Sequence, residues 1–362
     1  MDNFKLYGNW YQLLKQSRPE AGAWQVQNLA LLVVGVYQAR HVFLSRIVRT
    51  WPVRAKLVSL TRRLSRFLEH GGVTVREWYG DVARAWLAAA HAGGEIHLIL
   101  DGSKVGLGHQ LLTVALAYRR RAVPLAWTWV RGVKGHSSGA TQLALLKYVR
   151  SLIPAGARVN LVGDSEFSRL ETLRALRAWG WTYALRVRGN WLVCAFHGRT
   201  WVPFESLVSA PGQHVWWEKA RFTQKFGERV NLLAYWAPGE KEPWLLVTNL
   251  SDAYHARQAY ARRMWIEELF GDLKNHGWDL EATQLRHFLR LSRLTLAVCL
   301  LYVCLLRTGR HVIKAGRRAW VDRHDRRDLS LFQIGLRTLD RLLALDLPFT
   351  VSVRTSPFLS GG

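Results

Sequence analysis

Cysteine is scarce in this chain: Cys194, Cys299 and Cys304 are the only three in 362 residues. They give neither an even disulfide set nor a CxxC pair of the zinc type, which excludes a disulfide scaffold and makes a reducing compartment, the cytoplasm, the expectation. Long apolar runs are also missing. The longest, Leu294 to Leu306, is about two thirds of the roughly 20 residues a spanning helix needs, and it contains Thr295 and Tyr302. It reads as a buried core helix, and membrane insertion is not expected. The opening MDNFKLYGNWYQLLKQ has no basic segment followed by an apolar run, so no signal peptide is evident. Acidic residues are few, 26 against 51 Lys and Arg, for a net charge of +25 and a pI near 10.8. Such a surface attracts polyanions, nucleic acid first and an anionic membrane surface second. With 49% hydrophobic residues, the chain is not disordered. It can hold one large domain with accessories or two to three smaller ones, and no internal repeat stands out.

The stretch Tyr260 to Lys274, YARRMWIEELFGDLK, organises the rest. It lacks Pro, has one Gly (Gly271), and repeats Trp265, Ile266, Leu269, Phe270 and Leu273 at helical spacing, which predicts one helix. At about 100° per residue those side chains fill a stripe roughly 140° wide that must face a core. Tyr260, Arg263, Glu267 and Lys274 fall in an arc of roughly 60° beside it. On composition alone this row reads as a solvated face with ordinary helix ion pairs.

Upstream, residues 1 to about 92 read as helical. Ala23 to Val48 is strongly apolar, Pro52 interrupts, Val53 to His70 is an amphipathic helix bearing Arg54, Lys56, Arg62, Arg63 and Arg66, and Arg76 to Gly94 follows. From Glu95 the pattern becomes strand-like. EIHLILD (95–101), LLTVALAYRRR (111–121) and AVPLAWTWV (122–130) suggest a three-stranded meander. A helix from about Thr141 to Leu152, a strand RVNLVGD (158–164), a helix from Ser165 to Gly180 and a strand WTYALRVR (181–188) come next. Periodicity alone supports an α/β sheet. Two of its strands end in acids, Asp101 and Asp164, at the rim where open α/β sheets place their ligands. A carboxylate there can equally cap the next turn. Residues 189–257 hold short aromatic-rich β runs read as a small inserted sheet. After the turn NHGW, Ala282 to Gly309 predicts a long helix. Arg310 to Ser330 is dense in Arg, with Asp322, Asp325 and Asp328 as salt-bridge partners. Leu331 to Leu347 is helical, and TSPFLSGG is expected to be loose.

The order Tyr, two residues, Arg, three residues, Glu, six residues, Lys is similar, position for position, to the signature of the insertion-sequence type 4 transposases, a branch of the DDE transposases. The resemblance runs from about Ile96 to Lys274 and makes the row groove-facing. It implies an α/β, ribonuclease-H-like catalytic core interrupted by a β-rich insertion, with helical N- and C-terminal regions. The divisions are 1–94 (helical, DNA-binding), 95–188 (first part of the core), 189–257 (insertion), 258–309 (catalytic helix and following core helix) and 310–362 (basic, helical). It implies Asp101, Asp164 and Glu267 as the catalytic and metal-binding triad. Three carboxylates at one rim repel unless cations neutralise them, and hard oxygen donors suit two Mg²⁺, with Mn²⁺ as a substitute. The implied activity is metal-dependent cleavage of double-stranded DNA at terminal inverted repeats and transfer into target DNA, through a hairpin intermediate and by a homodimer on the DNA. Arg263 and Lys274 would hold phosphates, with Tyr260 beside them and Trp244 stacking on a flipped base, although Trp244 also fits as a core residue of the inserted sheet. In many relatives an Arg follows the second Asp, whereas Ser165 stands here. A metal-dependent structure-specific nuclease, and a catalytically inactive DNA-binding relative, are the alternatives.

Overall fold

The computed structural model describes residues 3–132, 137–225 and 227–354. The tail Thr355–Gly362, expected to be loose, lies outside them. Five helices precede the sheet: α1 (Asn3–Ser17), α2 (Ala23–Ala39), α3 (Leu44–Arg49), α4 (Leu57–Glu69) and α5 (Val75–Ala92). The apolar run read as continuous from Ala23 to Val48 is therefore two helices. The first closes at Arg40, which takes the left-handed conformation at φ 48°.

The central sheet follows from runs of β-branched and aromatic residues broken by short turns. β1 (Ile96–Val105), β2 (His109–Tyr118) and β3 (Arg121–Arg131) form the meander; α6 (Gly139–Arg150), β4 (Val159–Gly163), α7 (Leu170–Ala178) and β5 (Thr182–Arg186) complete the unit. β1 pairs antiparallel with β2 and parallel with β4, and β4 pairs parallel with β5. The order β3-β2-β1-β4-β5, with β2 reversed, is the ribonuclease-H-like arrangement. The helix expected from Ser165 is a 3₁₀ turn at Ser165–Phe167 followed by α7.

The β-rich segment differs from the expected separate sheet. β6 (Leu192–Cys194), β7 (Val202–Pro203), β8 (His214–Phe222), β9 (Glu228–Tyr235) and β10 (Trp244–Thr248) join the core as one ten-stranded sheet, β10 lying antiparallel against β5. The physical reason is the β5 edge. Its backbone groups would otherwise lack ladder partners, and β10 supplies them.

The signature stretch is two helices rather than one. α8 (Ala253–Ala261) and α9 (Trp265–Leu273) are separated by a 3₁₀ turn at Arg262–Met264. α8 packs on β4 and β5, the turn on β4, and α9 on β1, β2 and β3. α10 (Phe288–Lys314) begins and ends later than expected, and α11 (Leu331–Ala344) follows. By length and composition α10 could cross a membrane, but 83% of its apolar window is buried inside the fold. It packs against α2, α4, α5, α11 and β3. Each fully buried Leu or Val there contributes about 1.5–3 kcal/mol.

One buried acid makes folding pH-sensitive. Asp272 on α9 is 1% exposed, and burial pushes its carboxyl up to about 7, with Arg121 opposing and Glu268 reinforcing the shift. Because the folded pKa lies above the unfolded one, the group's contribution is full at low pH and is lost as pH rises through about 7. The loss amounts to about 4 kcal/mol at most. Asp272→Asn should therefore flatten the fall in melting temperature between pH 5 and pH 8. Parallel pH profiles for the two proteins would show that Asp272 ionises freely in the fold.

Candidate active site

Asp101 is not at a strand end, as the sequence suggested, because β1 continues to Val105 along β2. It sits instead one residue past the parallel ladder with β4, whose last pair is Leu100 with Gly163. Asp164 follows Gly163 directly, so the two acids stand at the same level at the carboxyl end of the parallel pair. Each is oriented the same way. Asp101 Oδ1 accepts the Gly102 N–H at 2.7 Å and Asp164 Oδ1 accepts the Ser165 N–H at 2.7 Å. Both Oδ2 atoms then turn to one guanidinium. Arg263 Nη2 donates to Asp101 at 2.9 Å and to Asp164 at 3.4 Å, while Nη1 donates to Glu267 Oε1 at 3.1 Å, one helical turn on.

Arg263 is 7% exposed, and its Nε is buried with no hydrogen-bond partner among the described residues. Burial disfavours its charge, but Asp101, then Tyr260, Asp164 and Glu267, outweigh that and hold its pKa above the ordinary arginine value. The 3₁₀ turn brings this side chain over β4. Glu268, adjacent in sequence, belongs elsewhere and pairs with Arg121 of β3.

The other signature residues surround this cluster. Tyr260 is buried, and its pKa is raised chiefly by that burial against the opposing field of Arg263. The half-buried Trp244 ring stands edge-on to Tyr260 at 5.0 Å. Trp236, just after β9, donates its Nε1–H to Glu240 O at 2.9 Å. Lys274 ends α9 and reaches back to β1, donating to Lys104 O at 2.6 Å and lying 3.6 Å from Glu281.

A polar network beside the acids was missed in the sequence. Glu166 Oε1 accepts the Ser137 N–H at 2.8 Å and its Oε2 accepts Gln110 at 3.0 Å. Gln110 fills the space over Gly102, where a Cβ would collide with its amide. The glycine after Asp101 was the readable signal, since a buried strand glycine marks a close approach.

The donor set suits a hard divalent cation: carboxylate oxygens with no thiolate or imidazole among them. Among the described residues, no three His, Cys, Asp or Glu side chains stand as a ready metal site. The three carboxylates are spaced around a planar guanidinium, a wider arrangement than direct ligation of one ion.

Fold and site together define an α/β, ribonuclease-H-like protein with three carboxylates converging at the end of its central strands. Residues 128–304 match the family described as a transposase DDE domain, somewhat less than half the chain. That span takes in Asp164, Trp244, Tyr260, Arg263, Glu267 and Lys274 and stops short of Asp101. No curated protein matches the chain. Among solved structures, a piggyBac transposase synaptic complex with hairpin DNA is similar over 96% of this chain and 82% of that one, at 11% identity and a TM-score of 0.43. Marinitoga piezophila Argonaute, in complex with guide RNA and target DNA, is similar over 69% of this chain and 37% of that one, at 8% identity and a TM-score of 0.24.

Proposed function

We propose that this protein is a DDE transposase that cuts its element from duplex DNA and joins it to a target. The observation that carries the reading is the convergence of Asp101, Asp164 and Glu267 on one guanidinium beyond the β1–β4 ladder. The family match supports transposition as the chemistry. Asp101, Asp164 and Glu267 would hold Mg²⁺, with Mn²⁺ able to replace it. Two such ions supply the Lewis acidity that activates an attacking oxygen and stabilises a leaving one.

The chain's own residues do the remaining work. The amides of Gly102 and Ser165 fix one oxygen of each Asp, so that the other faces the groove. Arg263, once released from the carboxylates, offers a planar fork to a DNA phosphate, and Lys274 adds a point charge farther along. Coordinated cutting at two element ends implies a homodimer on the DNA.

Supercoiled donor plasmid incubated with protein and Mg²⁺ tests the reading. A transposase excises the fragment and joins it elsewhere; a nuclease leaves cuts alone, and a binding protein leaves the plasmid intact.

Trp244 is the base-stacking residue in a hairpin step of this reaction. Extruding a base costs a few kcal/mol, which an aromatic face offsets in part. Trp244→Ala should leave the first nick nearly intact and reduce hairpin formation about tenfold, since stacking contributes roughly 1–3 kcal/mol per base. An abasic nucleotide at the flipped position should restore part of the loss. A parallel fall in nicking and hairpin formation, without abasic rescue, would make the residue structural.

A further inference from the structure

A second basic site lies outside the acid cluster. The C-terminal half of α10, α11 and residues 348–352 enclose a cavity of about 520 Å³. Its walls are fixed by two features. Gly309 and Gly335 let the backbones of α10 and α11 approach so closely that a Cβ on either would meet a carbonyl of the other helix. The segment after α11 is tied down through Val353 O, which accepts the Trp86 Nε1–H at 3.0 Å. Val312, Leu339 and Val351 give the cavity an apolar floor, each at most 5% exposed.

The polar lining carries one sign of charge. Arg307, His311 and Lys314 recur at one-turn spacing on α10, Arg310 and Arg317 join them, and no Asp or Glu lines the cavity. Arg307 and Arg310, Arg310 and Lys314, and Lys314 and Arg317 stand three or four residues apart, where like charges repel. Burial depresses the Arg307 pKa, Cys304 opposing and Arg310 reinforcing the effect. Asp322 pairs with Arg318, Asp328 with Arg326, Asp340 with Arg40 and Asp346 with Lys5. Asp325, expected as a salt-bridge partner, is exposed and outside the lining.

A cationic row in an apolar-walled cavity focuses field on an anion. The half-buried rings of Phe349 and Trp320, the latter with the Arg341 guanidinium 5.1 Å over one face, add flat surface to the same lining. A phosphate on one side of a planar base matches that pairing, and the volume suits a single such unit. We propose that this cavity binds a phosphorylated nucleoside, its phosphate on the Arg307–His311–Lys314 row and its base against Trp320 and Phe349. The unit is carried by a DNA strand or arrives as a free nucleotide. The site is independent of the catalytic reading and stands if that reading fails.

Calorimetry with adenosine monophosphate, and anisotropy with a short single-stranded oligonucleotide unrelated to any element end, test it on the full chain without divalent metal. Both probes should bind, and Arg307→Glu combined with Lys314→Glu should weaken both at least tenfold. Lys314→Glu alone, at an exposed position, gives a smaller loss in the same direction and guards against misfolding of the double variant. Asp164→Ala should bind adenosine monophosphate like the wild type, which separates this cavity from the acid cluster. An oligonucleotide that binds far tighter than the mononucleotide, with the excess lost in the double variant, identifies a DNA-borne phosphate. Equal affinities identify a free nucleotide. Failure of both probes to bind, or equal binding by wild type and a folded double variant, overturns the proposal.

Discussion

Alanine at Asp101, Asp164 or Glu267 should reduce Mg²⁺-dependent DNA cleavage by more than about a hundredfold, the loss that outer-shell partners of a metal alone can reach. Duplex binding should persist or tighten in each, because every change removes a negative charge from the site proposed to face DNA. The stabilities should nevertheless differ. The three side chains are 3%, 25% and 51% exposed, and each is an ion-pair partner of the buried Arg263. Removing one partner of a buried pair destabilises by about 3–5 kcal/mol, whereas exposed pairs contribute about 0–1 kcal/mol. Asp101→Ala should thus lower the melting temperature most and Glu267→Ala least, with equal losses of cleavage. Asp101→Asn, whose single carbonyl oxygen can accept from Arg263 or from the Gly102 N–H but not from both, should recover part of the stability and none of the activity. Cleavage retained in any of the three removes that residue from the catalytic set. Activity that merely follows the melting temperatures makes the cluster a folding element.

The α/β class was legible because strand runs such as Ile96–Leu100 and Val159–Gly163 are short, apolar and bounded by turn residues. Sheet continuity was not. Nothing in PWLLVTNL records that Trp244–Thr248 pairs with β5 and makes the insertion part of the core sheet; period-2 patterning fixes which face a residue takes, not which strand lies alongside. The break at Arg262–Met264 was equally hidden, since these residues include no Pro or Gly and tertiary packing on β4 sets the turn. The row of Tyr260, Arg263, Glu267 and Lys274 could be seen as a row, yet its contacts could not. In the fold the 3₁₀ turn carries Arg263 among the carboxylates.

That placement makes Arg263→Ala the most informative single change. In the wild type one guanidinium is hydrogen-bonded to all three carboxylates, and its single positive charge offsets part of theirs. Removing it leaves like charges facing one another beyond the β1–β4 ladder, with Asp101 buried. Breaking a buried pair in this way destabilises by about 3–5 kcal/mol. The melting temperature in a chelator should therefore fall by several degrees. Mg²⁺ should then raise it by more than it raises that of the wild type, because a bound ion replaces the missing charge and no longer competes with a resident side chain. Titration of Mn²⁺ followed by its magnetic resonance signal should show tighter binding in Arg263→Ala than in the wild type. Cleavage should drop even when metal saturates, since the phosphate fork is gone. Arg263→Lys should fall between the two in metal affinity, as a point charge cannot bridge all three carboxylates through separate nitrogens. Equal Mg²⁺-induced stabilisation in wild type and Arg263→Ala would mean that the guanidinium does not stand over the metal site, and its contacts with Asp101 and Asp164 would then serve the fold alone.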